Sequence, residues 1–392
     1  MSGLSGRAAI VGIGATEFSK DSGRSELRLA TEAIRAALAD AGLAPAAVDG
    51  LVTFTMDTSS EIAVARELGL ESLKFFSRIN FGGGAAAATV QQAAMAVATG
   101  VADVVVAYRA FNERSGHRFG RASAAAAQQV NSNGVDNSFH YPMGIATPAA
   151  TVAMSARRYM HLYGATSADF GRIAVIDRAN AATNPNAWFF GRPITLEEHQ
   201  ASRWIAEPLR LLDCCQESDG GVALVITSVE RAQDLARPPA VIAAAAQGSG
   251  PDQYVMTSYY RDDVAALPEM GVVAGELWRQ AGLSPADVDV AILYDHFTPY
   301  VLMQLEELGF CGRGEAREFI ADGRLEIGGR LPLNPHGGQL GEAYIHGMNG
   351  IAEGVRQVRG EAVNQIDSAR TALVTAGTGV PTSGLLLSTV DP

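Results

Sequence analysis

Tyr344 and His346 stand in the run Leu331 to Gly350, LPLNPHGGQLGEAYIHGMNG, which passes through Pro335 and the Gly337-Gly338 pair before Gly341. A strand, a glycine hinge and a helix start would aim these two side chains and offer backbone N–H groups to an oxyanion. The same pattern also suits a glycine-rich connection with a core tyrosine. A second candidate, Tyr294-Asp295-His296-Phe297, follows the apolar strand that starts at Val290. Directions alternate along a strand end, so Asp295 would point away from the face of Tyr294 and His296. Arg114, Arg118 and Arg121 lie close together. They could meet phosphates, or form a solvated or intersubunit face.

The elements that must hold these residues are legible in outline. Ser25 to Asp40 has helical apolar spacing and Gly42 is a natural stop. The most apolar helix, Gly84 to Thr99, contains Gln91 and Gln92 and is too short to span a bilayer. The first apolar run, Ala8 to Gly14, reads as a strand rather than a secretory signal. Its GIGATE lacks the third glycine of a dinucleotide fingerprint. Val101 to Ala107 and Gly221 to Thr227 are further strands, with more than a hundred residues inserted between them. Pro148 to Tyr163 and Ser167 to Asn180 within that insertion are helical, and insertions of this length commonly form lids or binding subdomains.

The chain has 392 residues, 47% hydrophobic and 18% charged, with 42 glycines, which suits a compact α/β enzyme. A net charge of −12 argues against nucleic acid or an anionic membrane as the main partner. Its cysteines, Cys214, Cys215 and Cys311, cannot make a disulfide framework and have no metal-ligand spacing, so a reducing cytoplasm is expected. All three read as structural.

Ala41 to Asp49, AGLAPAAVD, matches Ala281 to Asp289, AGLSPADVD, at seven of nine positions and a constant offset of 240. Each copy follows an amphipathic helix and precedes an apolar strand. Asn80-Phe81-Gly82-Gly83-Gly84 likewise echoes Asn334-Pro335-His336-Gly337-Gly338. The same order of elements twice implies duplication. The expected division is 1–235, with an insertion over about 112–208, and 236–392.

Duplicated halves with a large insertion in the first resemble the thiolase superfamily over essentially the whole chain. Arg203 to Thr227, with PLRLLDCCQESDGGVALVIT at its core, resembles the lipid-transfer-protein branch, relatives of the sterol carrier protein thiolase. The resemblance implies duplicated βαβαβαββ halves in a five-layered α-β-α-β-α arrangement. Four active-site segments of that branch are altered here. The position of the acylated cysteine is Gly83. A His-Asp-x-Phe segment reads Tyr294-Asp295-His296-Phe297. The Gly-His-Pro-x-Gly segment reads Ala343-Tyr344-Ile345-His346-Gly347, and the Cys-x-Gly segment reads Gly377-Thr378-Gly379.

Thiolytic chemistry needs a thiolate nucleophile and a second thiol, and glycine supplies neither. A phenol, however, can give or take a proton, with a reference pKa of about 10. A retro-aldol cleavage of a β-hydroxyacyl-CoA needs one group to take the hydroxyl proton and another to protonate the enolate. The branch includes steroid side-chain aldolases that carry tyrosines at these places. That resemblance implies cleavage of a 17-hydroxy-steroid 20-carboxyl-CoA to a 17-ketosteroid and propionyl-CoA. Tyr344 would be the base, Tyr294 the acid, and the backbone N–H groups of Gly83 and Gly379 the thioester oxygen donors. His296 and His346 would orient the phenols or lower their pKa, and His336 reads as structural. No cofactor or metal is expected. The expected partners are a second copy paired through the apolar strand Val101 to Ala107, and a companion OB-fold, zinc-ribbon domain completing a heterotetramer. Two rivals stay open: a non-catalytic acyl-CoA or sterol binder, and a thiolase with a relocated nucleophile.

Overall fold

A computed structural model describes residues 3–80, 82–116, 118, 120, 138–253, 256, 260–377 and 381–390. Its strands are β1 (Ala8–Ala15), β2 (Gly50–Phe54), β3 (Phe75–Ile79), β4 (Val104–Asn112), β5 (Asp219–Ser228), β6 (Ala240–Gly248), β7 (Val290–Ile292), β8 (Thr371–Ala376) and β9 (Thr382–Ser388). The principal helices are α1 (Glu26–Ala41), α2 (Ala86–Ala98), α3 (Pro148–Tyr163), α4 (Ser167–Thr183), α5 (Pro268–Ala281), α6 (Thr298–Glu307) and α7 (Met348–Arg359).

The repeated nine-residue segment is a helix stop joined to a turn. Gly42 and Gly282 take left-handed φ of 69° and 67° behind α1 and α5, where a side chain would be strained. Pro45 and Pro285 then open matching 3-10 turns, and β2 and β7 follow. Strand order carries the duplication further. The strands run β3-β2-β4-β5-β1-β6-β9-β8-β7. Outward from the junction, β1, β5, β4, β2 and β3 are matched by β6, β9, β8 and β7, with Leu333 bridging Ala291 in parallel where a counterpart of β3 would lie. The two half sheets pair at Ala9–Val241 and Ile10–Ala240.

Between the half sheets run α2 and α7, one from each half. Ala86, Ala87, Ala88, Val90, Ala93 and Ala94 of α2 share one buried apolar cluster with Ile351, Ala352 and Val355 of α7. Small side chains let a helix lie close to a sheet on both sides at the density of a protein interior. Helix α1 covers the outer face of the first half sheet, and α5 and α6 cover that of the second. The layers therefore read α-β-α-β-α. The insertion after β4 contributes α3, α4 and a two-stranded ribbon, Trp204–Ala206 with Leu209–Arg210.

One expectation is corrected. The apolar strand expected over Val101 to Ala107 is β4, which begins at Val104 and pairs with β2 on one side and β5 on the other. A strand hydrogen-bonded on both edges has no free edge for a second copy. The open edge of this half is β3, paired with β2 alone and carrying Phe76 at 59% exposure. Among the described residues, no helix is long and apolar enough to cross a membrane.

Candidate active site

Tyr294 leaves β7 with its backbone clamped. Its N–H donates to Thr375 Oγ1 (2.9 Å), and its carbonyl accepts from Gln304 Nε2 (2.9 Å). Thr375 in turn donates to Gln304 Oε1 at 2.6 Å, tying β8 to α6. Tyr344 sits in the turn before α7, its N–H on Ser218 Oγ at 3.1 Å. These two anchorages bring the phenol oxygens 3.0 Å apart, one hydroxyl donating to the other. Residues 50 apart in sequence thus meet because the segment leaving β7 and the turn before α7 converge.

Two glycines make room for the Tyr294 ring. A Cβ on Gly83 would fall on the Tyr294 hydroxyl, and one on Gly347 would lie 3.0 Å from Cε2. Gly377 packs against the backbone of Gly83 and Gly84, so a side chain there would collide as well. The phenol therefore occupies the space in which a residue-83 side chain would have to start. Gly379, expected as a second oxyanion donor, lies outside the described residues, as does Arg121.

Both histidines stand beside the phenols. His296 is 4.7 Å from Tyr294 and His346 is 4.7 Å from Tyr344, ring centre to ring centre. Burial pushes His296 down to about 3. Burial and then the Arg109 charge hold His346 well below the usual imidazole range. Burial also raises both phenols well above 10. Asp295 faces away, accepting the Gln339 and Leu340 N–H groups, as strand alternation predicts. His336 is buried outside the cavity lining.

The phenols and histidines line a cavity of about 420 Å³ together with Gly83, Gly377, Phe297 and Met256. The insertion and its neighbours add Arg114, Arg118, Arg203, Lys20, Cys214 and Cys215 to the lining. Arg118 pairs with Glu217 at 2.6 Å, and Lys20 donates to Gln216 and to the Glu217 carbonyl. Burial brings Lys20 down to about 8. Cys214 and Cys215, expected to be structural, thus belong to the cavity wall, because the Cys215 N–H pairs with the His296 carbonyl (2.9 Å). Burial raises the Cys215 thiol well above its usual range and so disfavours the thiolate.

Three buried residues near the phenols escaped the sequence reading: Arg109 on β4, its ion-pair partner Asp57, and Glu113, a carboxyl of the cavity wall. Arg109 had a signal, being the one charge in the otherwise apolar strand VVVAYRAFN. Asp57 had none. Among the described residues, no three His, Cys, Asp or Glu side chains converge as a metal would require.

A mixed sheet of duplicated halves around two central helices, with the site where their strand ends meet, is the architecture of a thiolase-like protein. The chain belongs to the thiolase family: residues 8–230 match its N-terminal domain and residues 252–387 its C-terminal domain-like unit. It is 71% identical to the 17-hydroxy-3-oxo-4-pregnene-20-carboxyl-CoA lyase of Mycobacterium tuberculosis, over 98% of this chain and 100% of that one. It is 69% identical to the steroid side-chain-cleaving aldolase of Thermomonospora curvata, over 99% of each. Among solved structures, an Ltp2-ChsH2(DUF35) aldolase matches with a TM-score of 0.96 and 68% identity over the whole of both chains.

Proposed function

We propose that this protein is a carbon–carbon lyase that splits a 17-hydroxy-3-oxo-4-pregnene-20-carboxyl-CoA into a 17-ketosteroid and propionyl-CoA. The observation that carries the mechanism is the direct contact of two buried phenols at a cavity wall with no side chain at position 83. Tyr344 takes the proton of the tertiary hydroxyl as the bond between the ring carbon and the α-carbon breaks. The electron pair of that bond becomes the thioester enolate, and Tyr294 gives its proton to the α-carbon. The hydroxyls can rotate, so Tyr344 passes its own proton to Tyr294. One proton moves from substrate oxygen to substrate carbon, and both phenols end neutral. This relay fits phenols whose ionised forms burial disfavours, because neither needs to rest as a phenolate. Gly83, at the start of the central helix, would offer its N–H to the enolate oxygen. No group beyond CoA itself is required.

The rival reading as a passive binder gives no reason for two clamped, mutually bonded hydroxyls. The deciding experiment incubates the protein with the 17-hydroxy steroid CoA thioester, with and without a companion domain, and follows the products by mass spectrometry. Appearance of propionyl-CoA and the 17-ketosteroid supports the reading. Unchanged substrate under both conditions sinks it.

The pH dependence follows from the sites. A group with a lowered pKa carries charge only below that value, so His296, held near 3, is neutral throughout pH 5–8. Accordingly kcat should show no limb near the ordinary imidazole value of about 6.5. Lys20 at the cavity rim loses its charge above about 8, and kcat/KM should fall there if its ammonium helps hold the CoA phosphates. Rates measured from about pH 5 to about pH 10, on both sides of the Lys20 value of about 8, and compared with those of Lys20→Met, check both statements.

We further propose a homodimer formed through the open edge of β3, with the companion OB-fold, zinc-ribbon chain completing a heterotetramer in the cytoplasm. The solved relative whose name pairs Ltp2 with ChsH2(DUF35) supports a companion. Phe76→Asp should dissociate the dimer, seen as a halved mass in light scattering; an unchanged mass would move the interface elsewhere.

A further inference from the structure

Arg109 is fully buried in the middle of β4 and is paired with Asp57, which also accepts the Thr53 hydroxyl. Its guanidinium lies 4.3 Å from the Phe111 ring centre and 5.2 Å from that of Phe54. A buried ion pair of this kind adds little stability compared with apolar residues of equal volume. The rest of its fork points into the site: Nε and Nη2 are 3.4 and 3.3 Å from Nδ1 of His346.

Arginine has donors only and stays charged. A hydrogen on His346 Nδ1 would therefore face the guanidinium donor to donor, and an imidazolium would place two cations together. The ring proton belongs on Nε2. That edge of the ring faces the Gly82–Gly84 turn, with Cδ2 and Nε2 at 3.4 and 3.6 Å from a Cβ placed on Gly82. Both His346 and that turn line the cavity. His346 also holds φ at +50°, uncommon for a residue with a side chain and of the sort that clusters at functional sites.

We propose that Arg109, fixed by Asp57, is a positioning residue that holds His346 as the neutral Nε2–H tautomer, which donates to the thioester oxygen from the same side as Gly83. This rests on reading the cavity as the thioester site. A neutral imidazole stabilises charge growing on the enolate oxygen without handing over a proton, which leaves protonation of carbon to Tyr294. The titratable groups around the pair are Asp57, Glu26, Glu113, Tyr294, Tyr344 and His296. Among them and Arg109, the guanidinium is the one permanent cation. The sign follows: removing Arg109 takes away one cause of the lowered His346 pKa and leaves burial, the larger one, so the ring stays neutral and only its tautomer is released.

The experiment begins with the unaltered enzyme, using ring ¹⁵N and ¹H NMR of His346 from pH 5 to 9. The expected result is an Nε2–H tautomer that does not titrate. Finding Nδ1–H, or titration near the ordinary value of about 6.5, overturns the proposal. In Arg109→Met, the Nδ1–H form of His346 should appear in the spectra, and kcat should fall about 10²-fold. Arg109→Lys should keep the tautomer and recover most of the rate. Loss of rate in Arg109→Met with the tautomer unchanged also overturns it. Failure of the phenol assignments would show instead as full activity in Tyr294→Phe and Tyr344→Phe, with the His346 signals unmoved.

Discussion

Tyr344→Phe should lower kcat for CoA-thioester cleavage about 10²- to 10⁴-fold, the usual contribution of a positioned proton-transfer group. Substrate affinity should hardly change, because the ring and its contacts remain and only one oxygen leaves. Tyr294→Phe should behave alike. The two effects should not add, since the oxygens are 3.0 Å apart and form one relay. Either deletion interrupts it, so the double variant should be little worse than the poorer single one. Single-turnover rates and steroid-CoA binding by calorimetry measure these quantities separately. Parental cleavage rates in both variants would remove the acid–base assignment, and lost binding would turn the tyrosines into substrate contacts.

The second large effect is steric. Gly83→Ala places a methyl group where the Tyr294 hydroxyl lies, and Gly347 closes off retreat on another side of the ring. The phenol must swing out of reach of Tyr344, so kcat should drop about 10²-fold or more, as when catalytic groups are misplaced by about 1 Å. Overpacking of a filled site should also cost about 1–3 kcal/mol of stability. In a Tyr294→Ala background the methyl group has room, and the same substitution should then cost little in melting temperature. A stability cycle over the four proteins tests this. Equal losses in both backgrounds would mean that Gly83 is needed for its backbone rather than for the space it leaves. The expected collision explains why the altered segments go together: a cysteine at 83 and a tyrosine at 294 cannot share this backbone. Gly377 against Gly83 and Gly84 blocks a second thiol in the same way.

How far the chain could be read without coordinates varied with the range of the interactions. The nine-residue repeat exposed the duplication because a left-handed glycine followed by a proline-led turn is local backbone chemistry, and it recurs wherever α1 and α5 end. Tyr294, Tyr344, His296 and His346 were found through the segments around them, and all four line one cavity. Val101 to Ala107 does not reveal that it lacks a free edge, because apolar runs look alike whether they sit at an edge or in the middle of a sheet. Only the pairing of β4 with both β2 and β5 distinguishes them. Cys214 and Cys215 were set aside because nothing in their own neighbourhood signals a cavity; a backbone bond to His296, more than eighty residues away, puts them there.

The amino-acid sequence by itself determined the repeated architecture, which follows from residue type and spacing along the chain. Its resemblance to the thiolase branch picked out Gly83 and Gly377 as positions without sulfur, and Tyr294 and Tyr344 as phenols in place of histidines. Tertiary structure alone decided that the two hydroxyls touch, that Gly83 and Gly347 leave room for the Tyr294 ring, and that Arg109 reaches His346 across 237 residues. Such contacts form where segments distant in sequence converge, and convergence is set by sheet order and helix packing, which no local pattern encodes.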